Sequence, residues 1–157
     1  MTEIKKIFNK EEIIAVMPQQ PPFLFLDKVE IFGDEAVSTY TIKSDEVFFE
    51  GHFKGNPVLP GTIMLEALGQ LGVFYLLKSD HPSFMGRKVD SSKIFFISSQ
   101  NNRCMRICRP GETFQIHAKI LRIRHPLARF QATMTVNGEK AAYAEELTLT
   151  FDYLPNE

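Results

Sequence analysis

A loop rich in glycine and proline carries His52 and leads directly into an apolar segment that contains Glu66. A carboxylate within an apolar helix must be ion-paired, hydrogen-bonded or protonated, because burial of an unpaired charge is costly. Glu66 is therefore a candidate proton donor, although a structural hydrogen bond explains such a residue about equally well. His52 suits a general base, although a single histidine is more often a packing or surface residue.

The residues that precede Glu66 also suit a catalytic site. Pro60 fits the start of a helix, and Gly61 would leave a backbone N–H at the positive end of that helix, where a developing oxyanion can be stabilised. A tight loop that merely enters a helix is the more common explanation of a Pro-Gly pair. Gln70 lies on the same helix face as Glu66, and it either hydrogen-bonds the carboxylate or is a passive helix residue.

A buried helix and an antiparallel sheet are expected to position these residues. From Gly61 to Leu77 the sequence is apolar on nearly every side, which predicts a helix buried all round. Asn9 with Glu12 predicts the capped start of a short opening helix. Turns are expected at residues 33–34 and 137–138, each containing glycine. The expected strands are Phe23 to Phe32, Ala36 to Ile42, Ile94 to Ile97, Met105 to Ile107, Thr113 to Arg124, Arg129 to Val136 and Lys140 to Phe151.

The helix and its preceding loop resemble a known family. The run FEGHFKGNPVLPGTIMLEALGQ, residues 49–70, resembles the signature of the bacterial 3-hydroxyacyl-acyl-carrier-protein dehydratases of the FabZ and FabA type. The run PQQPPFLFLDKV, residues 18–29, resembles the entry segment of that family, and RPGE, residues 109–112, resembles its turn before the late strands. The resemblance implies an α+β hot-dog fold, an antiparallel β-sheet wrapped around a long central helix.

The resemblance also implies an activity, the dehydration of (3R)-3-hydroxyacyl thioesters to trans-2-enoyl thioesters in fatty acid, polyene or polyketide synthesis. His52 would remove the C2 proton, and Glu66 would protonate or position the departing 3-hydroxyl. Low polarity around Glu66 would raise its pKa toward that of a proton donor. The implied substrate-binding residues are Gly61, Phe53, Pro60 and Gln70.

In the same family, His52 and Glu66 of one active site would come from opposite subunits of a homodimer, which can assemble further into a trimer of dimers. The implied substrate carrier is an acyl carrier protein, and no cofactor or metal is implied. Gln19 departs from the family, which commonly has histidine at this position. The segment Phe95 to Arg103 is more polar than expected for the lining of an acyl tunnel. These departures leave the acyl chain length open and would suit a specialised pathway.

Other functions also fit a hot-dog chain, because a fold does not by itself determine chemistry. The alternatives are a thioesterase, a coenzyme A ester hydratase and a non-catalytic subunit that lends an interface to an active partner. A thioesterase would leave the His52 loop without an evident role. The presence of both His52 and Glu66 argues against the non-catalytic subunit.

The composition excludes further classes of protein. The 157 residues, 44% of them hydrophobic, suit one domain over residues 1–157, and a net charge of -1 provides no basic field for nucleic acid. No apolar run approaches the roughly 20 residues that span a bilayer. We therefore expect a cytoplasmic protein without a membrane partner.

Several remaining residues are assigned simpler roles. Cys104 and Cys108 are expected to be free thiols, because they lack the further ligands that a zinc site needs. The isolated histidines are expected to lie on the surface and not to bind metal: His81, His117 and His125. Six arginines of the second half would receive an acidic carrier protein if they lie near the tunnel mouth. They are Arg103, Arg106, Arg109, Arg122, Arg124 and Arg129.

Overall fold

A computed structural model describes residues 4–156. Its seven strands form one antiparallel sheet in the order β1-β2-β3-β5-β6-β7-β4. The strands are β1 (Lys6–Phe8), β2 (Lys28–Phe32), β3 (Glu35–Thr41), β4 (Phe95–Cys104), β5 (Thr113–Arg124), β6 (Leu127–Val136) and β7 (Glu139–Thr150). The α-helices are α1 (Lys10–Val16) and α2 (Gly61–Lys78), and α2 contacts every strand from β3 to β7. The sheet therefore wraps around α2.

The central helix follows the prediction closely. α2 begins at Gly61 as expected and ends one residue after Leu77. Every residue from Gln70 to Leu76 is buried, because apolar side chains on all faces of the helix meet the curved sheet. Within residues 4–156, neither α2 nor α1 is long and apolar enough to cross a membrane.

The predicted start of α1 is also confirmed. The Asn9 side chain accepts a hydrogen bond from the Glu12 N–H at 2.9 Å, and the Glu12 carboxylate accepts one from the Asn9 N–H at 3.1 Å. This reciprocal arrangement satisfies two of the N–H groups that a helix leaves unpaired at its N-terminus. α1 directly follows β1, a strand that the sequence analysis did not predict.

The strand predictions were wrong in three places. β4 runs from Phe95 to Cys104, well beyond the predicted Ile97, because its polar residues still pair with β7 through the backbone. Residues 105–107 form no strand. Residues 23–27 form no strand, although the Asp27 N–H donates to the Thr39 carbonyl of β3 at 2.8 Å. The Phe25 N–H donates instead to the Gln70 side chain, also at 2.8 Å.

Gly72 lies where α2 and the sheet are in close contact. A Cβ at this position would lie 3.3 Å from the Leu149 side chain and 3.3 Å from the Phe130 ring, both of them buried. We expect Gly72→Ala to lower the free energy of unfolding by about 1 kcal/mol, since overpacking costs about 1–3 kcal/mol and the helix preference of alanine returns roughly 1 kcal/mol. Denaturant unfolding measures the change.

Gly69 provides a matched control on the same helix. A Cβ there would lie 3.8 Å from Leu147, an ordinary contact distance. Gly69→Ala should therefore raise the free energy of unfolding by about 0.5–1 kcal/mol. Equal stabilisation by both substitutions would show that the sheet relaxes around Gly72 and would contradict the packing argument.

Candidate active site

His52 lies in a loop that backbone hydrogen bonds hold closed. Phe53 and Asn56 exchange N–H to carbonyl bonds of 2.9 Å each, and the Val58 N–H donates to the His52 carbonyl at 2.9 Å. Gly55 has φ of 67°, in the left-handed region that glycine adopts without steric cost. These bonds therefore fix the backbone from His52 to Val58.

The hydrogen bond of the imidazole defines its tautomer. His52 Nδ1 lies 2.8 Å from the carbonyl oxygen of Val58. Because a carbonyl oxygen only accepts, Nδ1 carries the hydrogen, and Nε2 of the neutral ring has the free lone pair. The Phe53 ring stacks on the imidazole with a centroid distance of 3.9 Å and restricts its rotation. Nε2 is therefore the nitrogen of His52 that can accept a proton.

Gly61 places the start of α2 beside the His52 loop. The N–H of Gly61 has no carbonyl partner within the helix, and the helix dipole adds positive potential there. A Cβ at position 61 would lie 3.1 Å from Cys104 Sγ, so glycine allows β4 to approach the helix start. A cavity of about 320 Å³ is lined by His52, Val58, Leu59, Gly61, Met64, Cys104, Met105, Arg106 and Ile107. We call it the His52 cavity.

Glu66 is half-buried on α2, and Gln70 holds its carboxylate. Gln70 Nε2 donates to Glu66 Oε2 at 2.8 Å and to the Phe23 carbonyl at 3.1 Å, while Oε1 accepts from the Phe25 N–H. Gln70 thereby connects Glu66 to the entry segment of the chain. Burial raises the pKa of Glu66, and the hydrogen bond from Gln70 opposes only part of that rise.

Glu66 lines a second cavity, of about 270 Å³, between α2 and β4. We call it the Glu66 cavity. Its apolar lining consists of Leu65, Gly69, Val73, Ile94, Phe95, Phe96, Leu147 and Leu149, and its further polar lining of Gln19, Thr62, Ser99 and Asn102. The cavity could therefore enclose a largely apolar chain that carries a polar group near Glu66.

One chain does not bring His52 and Glu66 into one cavity. The His52 cavity and the Glu66 cavity share no lining residue in the part of the chain that the structure describes. In the described part of one chain, His52 and Glu66 therefore line separate cavities.

The four predicted substrate-binding residues have different positions. Gly61 lines the His52 cavity, whereas Phe53 and Pro60 line neither of the two cavities. Phe53 stacks on His52, and the Pro60 carbonyl accepts from Ile63 and Met64 in the first turn of α2. Gln70 is fully buried and reaches the site only through Glu66.

Comparison with known proteins assigns the chain to a family. The family profile described as FabA-like domain matches residues 17–145. The chain belongs to the FabA-like family. It is 37% identical to the 3-hydroxyacyl-acyl-carrier-protein dehydratase FabZ of Latilactobacillus sakei, over 92% of this chain and 98% of that protein. It is 35% identical to the protein of the same name from Lactococcus lactis subsp. cremoris, over 96% of this chain and 97% of the relative.

Solved structures share the architecture of this FabA-like chain. The dehydratase heterocomplex ApeI:P from Xenorhabdus doucetiae matches with a TM-score of 0.67 at 18% identity, over 92% of this chain and 91% of that one. A thioesterase from Haemophilus influenzae matches with a TM-score of 0.64 at 15% identity, over 97% and 96%. At these identities the matches support the predicted hot-dog fold, which hosts both chemistries.

The beginning of β4, at one edge of this FabA-like sheet, is apolar. β4 pairs with β7 on one side and is the last strand of the sheet within residues 4–156. Phe95, Phe96 and Ile97 are 60%, 63% and 53% exposed. A strand edge with free backbone groups and apolar side chains is a template for pairing with another chain.

The six arginines do not form one patch. Arg122, Arg124 and Arg129 line a common surface cavity with His125, and we call these three the arginine cluster. Arg106 instead forms an ion pair with Glu112 at 2.7 Å. Arg109 donates to Asn56 at 2.6 Å, and Arg103 lies on β4.

The other histidines each face one carboxylate. Within residues 4–156 no group of three side chains could hold a metal ion. The pairs are His81 with Asp34, His117 with Glu35 and His125 with Asp152. The side chain of His81 is only 15% exposed, so its prediction as a surface residue was wrong, because Tyr75 and Phe84 pack against its ring.

Sequence reasoning missed several residues of the Glu66 cavity. Gln19 was noted only as a departure from the family, and its amide oxygen is buried in the structure without a hydrogen-bond partner. Ser99 and Asn102 lie three residues apart on β4 and both line the cavity, a spacing that regular strand alternation does not predict. The polarity of residues 95–103 was the available signal.

Proposed function

We propose that this protein removes water from (3R)-3-hydroxyacyl thioesters and forms trans-2-enoyl thioesters. The observation that carries the proposal is a complementary pair of groups. His52 has Nε2 free to accept a proton, and Glu66 has a raised pKa that favours the protonated, donating form. Relatives at 35–37% identity, named as dehydratases of this substrate class, support the same reaction.

In this proposal three groups carry out the reaction. His52 Nε2 takes the proton from C2, and the electron pair moves toward the thioester carbonyl, where the Gly61 N–H stabilises the developing negative charge. Glu66 gives its proton to the 3-hydroxyl, the C3–O bond breaks, and water leaves as the C2–C3 double bond forms. Gln70 positions the Glu66 carboxyl during this step.

Two copies of the chain share each active site in this proposal. The separation of the His52 and Glu66 cavities within one chain supports it, as does the exposed apolar beginning of β4. A homodimer joined along β4 would cover Phe95, Phe96 and Ile97 and complete the wall of the Glu66 cavity. A trimer of dimers is a compatible larger assembly.

The substrate carrier is an acyl carrier protein, and the arginine cluster is its proposed docking surface. The strand register places Phe95, Thr150, Leu127 and Arg124 in one row across the sheet. The arginine cluster therefore lies toward the end of the sheet at which Phe95 lines the Glu66 cavity. Exposed arginines accelerate association with an acidic partner, and salt weakens that effect.

An assay of the isolated protein tests the function and its carrier. (3R)-3-Hydroxybutyryl thioesters of acyl carrier protein and of coenzyme A are supplied, and enoyl absorbance and free thiol are recorded together. We expect enoyl formation without thiol release, with the higher kcat/KM for the carrier-protein thioester at low salt. Thiol release alone would identify a thioesterase, preference for coenzyme A would identify a hydratase, and inactivity without a partner would identify a non-catalytic subunit.

Glu66→Gln is expected to reduce kcat by about 10²–10⁴-fold, because an amide cannot give a proton to the leaving hydroxyl. Its amide oxygen can still accept from Gln70, so the fold should persist. Steady-state kinetics and thermal unfolding measure both effects.

The same substitution has a pH-dependent effect on stability. Folding raises the pKa of the Glu66 carboxyl. Such a group does not change the free energy of unfolding at pH values below its pKa in the unfolded chain, and it lowers the free energy of unfolding as the pH rises through its pKa in the folded protein. Glu66→Gln removes that cost, so the variant should be at least as stable as the wild type at neutral pH. The difference should vanish below the ordinary pKa of glutamate. A strongly lowered melting temperature at neutral pH would show instead that Glu66 is mainly structural.

A further inference from the structure

Gln19 lines the Glu66 cavity and carries an unsatisfied hydrogen-bond acceptor. Its amide oxygen is buried without a hydrogen-bond partner, and its side chain lines the cavity together with Glu66. A buried acceptor without a donor costs about 1–3 kcal/mol, so native proteins rarely retain one unless a ligand or an ordered water supplies the donor.

The backbone that carries Gln19 is held on both sides. The Gln20 side chain donates to the carbonyls of Ile14 and Met17 at 2.8 and 2.9 Å, at the end of α1. Beyond the prolines, Gln70 binds the Phe23 carbonyl, and the same amide binds Glu66. These contacts hold Gln19 at a fixed position relative to Glu66.

The chemistry of the substrate determines which group can satisfy Gln19. The thioester carbonyl only accepts hydrogen bonds and cannot pair with an amide oxygen. The 3-hydroxyl can donate its hydrogen to the amide oxygen and keep its lone pairs for the proton from Glu66. The 3-hydroxyl oxygen bound in this way faces Glu66, whose proton converts the hydroxyl into a leaving group.

We infer that Gln19 binds the 3-hydroxyl of the substrate and positions it against Glu66, an inference that rests on the proposed dehydratase function. Gln19 is thus a specificity residue that distinguishes 3-hydroxyacyl chains from saturated ones. It transfers no proton itself, since an amide does not titrate in this range. Contact with the 3-hydroxyl is lost when water leaves.

Ligand discrimination in a protein that cannot turn over substrate tests this role. In the His52→Ala background, dissociation constants are measured for (3R)-3-hydroxybutyryl-coenzyme A and for butyryl-coenzyme A, which lacks the hydroxyl. The 3-hydroxy ligand should bind more tightly. Adding Gln19→Met, which keeps the length but removes the acceptor, should reduce that preference by about fivefold, the effect of one net hydrogen bond.

Two further variants separate this role from a structural one. Gln19→Glu keeps an acceptor oxygen and should keep the preference. Gln20→Met removes the bonds to α1 but keeps the Gln19 acceptor, so it should lower the melting temperature and reduce the preference less than Gln19→Met does. An unchanged preference in folded Gln19→Met, or a lost one in folded Gln19→Glu, would overturn the inference.

Two measurements do not depend on how the Gln19 variants fold. Equal binding of the two ligands when Gln19 is intact would also overturn the inference. Turnover of the 3-hydroxy ligand by the wild-type protein, followed by enoyl absorbance, tests the proposed function separately. If the wild-type protein makes enoyl product but the discrimination test fails, only the inferred role of Gln19 is overturned and not the proposed function.

Discussion

His52→Ala is expected to reduce kcat by about 10²–10⁴-fold, the usual contribution of a positioned general base. The structure assigns the imidazole one defined tautomer, with Nδ1 bonded to Val58 and Nε2 free. Alanine leaves no group at that position that could take the C2 proton. KM should change less than kcat, because the lost interaction is made with the C2 proton in the transition state and not with the bound substrate.

The fold should survive this substitution. His52 is a partly exposed loop residue, and the loop keeps its backbone bonds between Phe53 and Asn56. Loss of the Val58 bond and the Phe53 stacking should lower the free energy of unfolding by about 1 kcal/mol. Circular dichroism melts and native mass spectrometry test whether fold and assembly persist.

His117→Ala is the matched control. His117 is exposed on β5 and faces Glu35, away from the residues that line the His52 and Glu66 cavities. Its replacement should leave kcat unchanged. A His52→Ala protein that retains most wild-type activity would remove His52 from the mechanism.

Much of the fold was predictable because its strongest signals are local. The apolar run after Gly61 specifies α2 almost to the residue, and Asn9 with Glu12 specifies the start of α1. β4 was predicted too short because residues 98–103 are polar, and a strand at the sheet edge can be polar without losing its backbone ladder. The pairing of β4 with β7 joins segments that are distant in sequence, so no local sequence pattern predicts it.

The candidate site was predictable only in part, for a related reason. His52, Gly61 and Glu66 were found from residue type and from resemblance, and the bond from Gln70 to Glu66 was one of two alternatives that the helix spacing left open. The role of Gln19 could not be predicted, because it depends on which atoms pack around an amide 47 residues before Glu66 in sequence. The placement of His52 and Glu66 in separate cavities likewise required the folded chain.

Mixing two inactive variants should restore activity if the active site is shared between chains. His52→Ala supplies an intact Glu66, and Glu66→Gln supplies an intact His52. A mixed dimer then contains one centre with both wild-type residues and one centre with neither. Random exchange of equal amounts makes about half of the dimers mixed, so activity should rise to about a quarter of the wild-type value.

The converse mixture gives a matched control in the opposite direction. Wild-type protein mixed with an equal amount of the double variant His52→Ala/Glu66→Gln starts at about half of the activity of undiluted wild type. A mixed dimer of this kind has no intact shared centre, because each centre combines one wild-type residue with one altered residue. Exchange should therefore lower the activity to about a quarter, the share of wild-type homodimers.

The two mixtures together distinguish a shared site from a site within one chain. If His52 and Glu66 act from the same chain, mixing the two single variants never restores activity. The mixture of wild type with the double variant then keeps about half of the undiluted wild-type activity after exchange. Activity is recorded against mixing ratio, with mass spectrometry to verify that mixed dimers have formed. Verified mixed dimers that follow the same-chain pattern would exclude the interfacial site, since His52 would then have to reach the Glu66 cavity of its own chain.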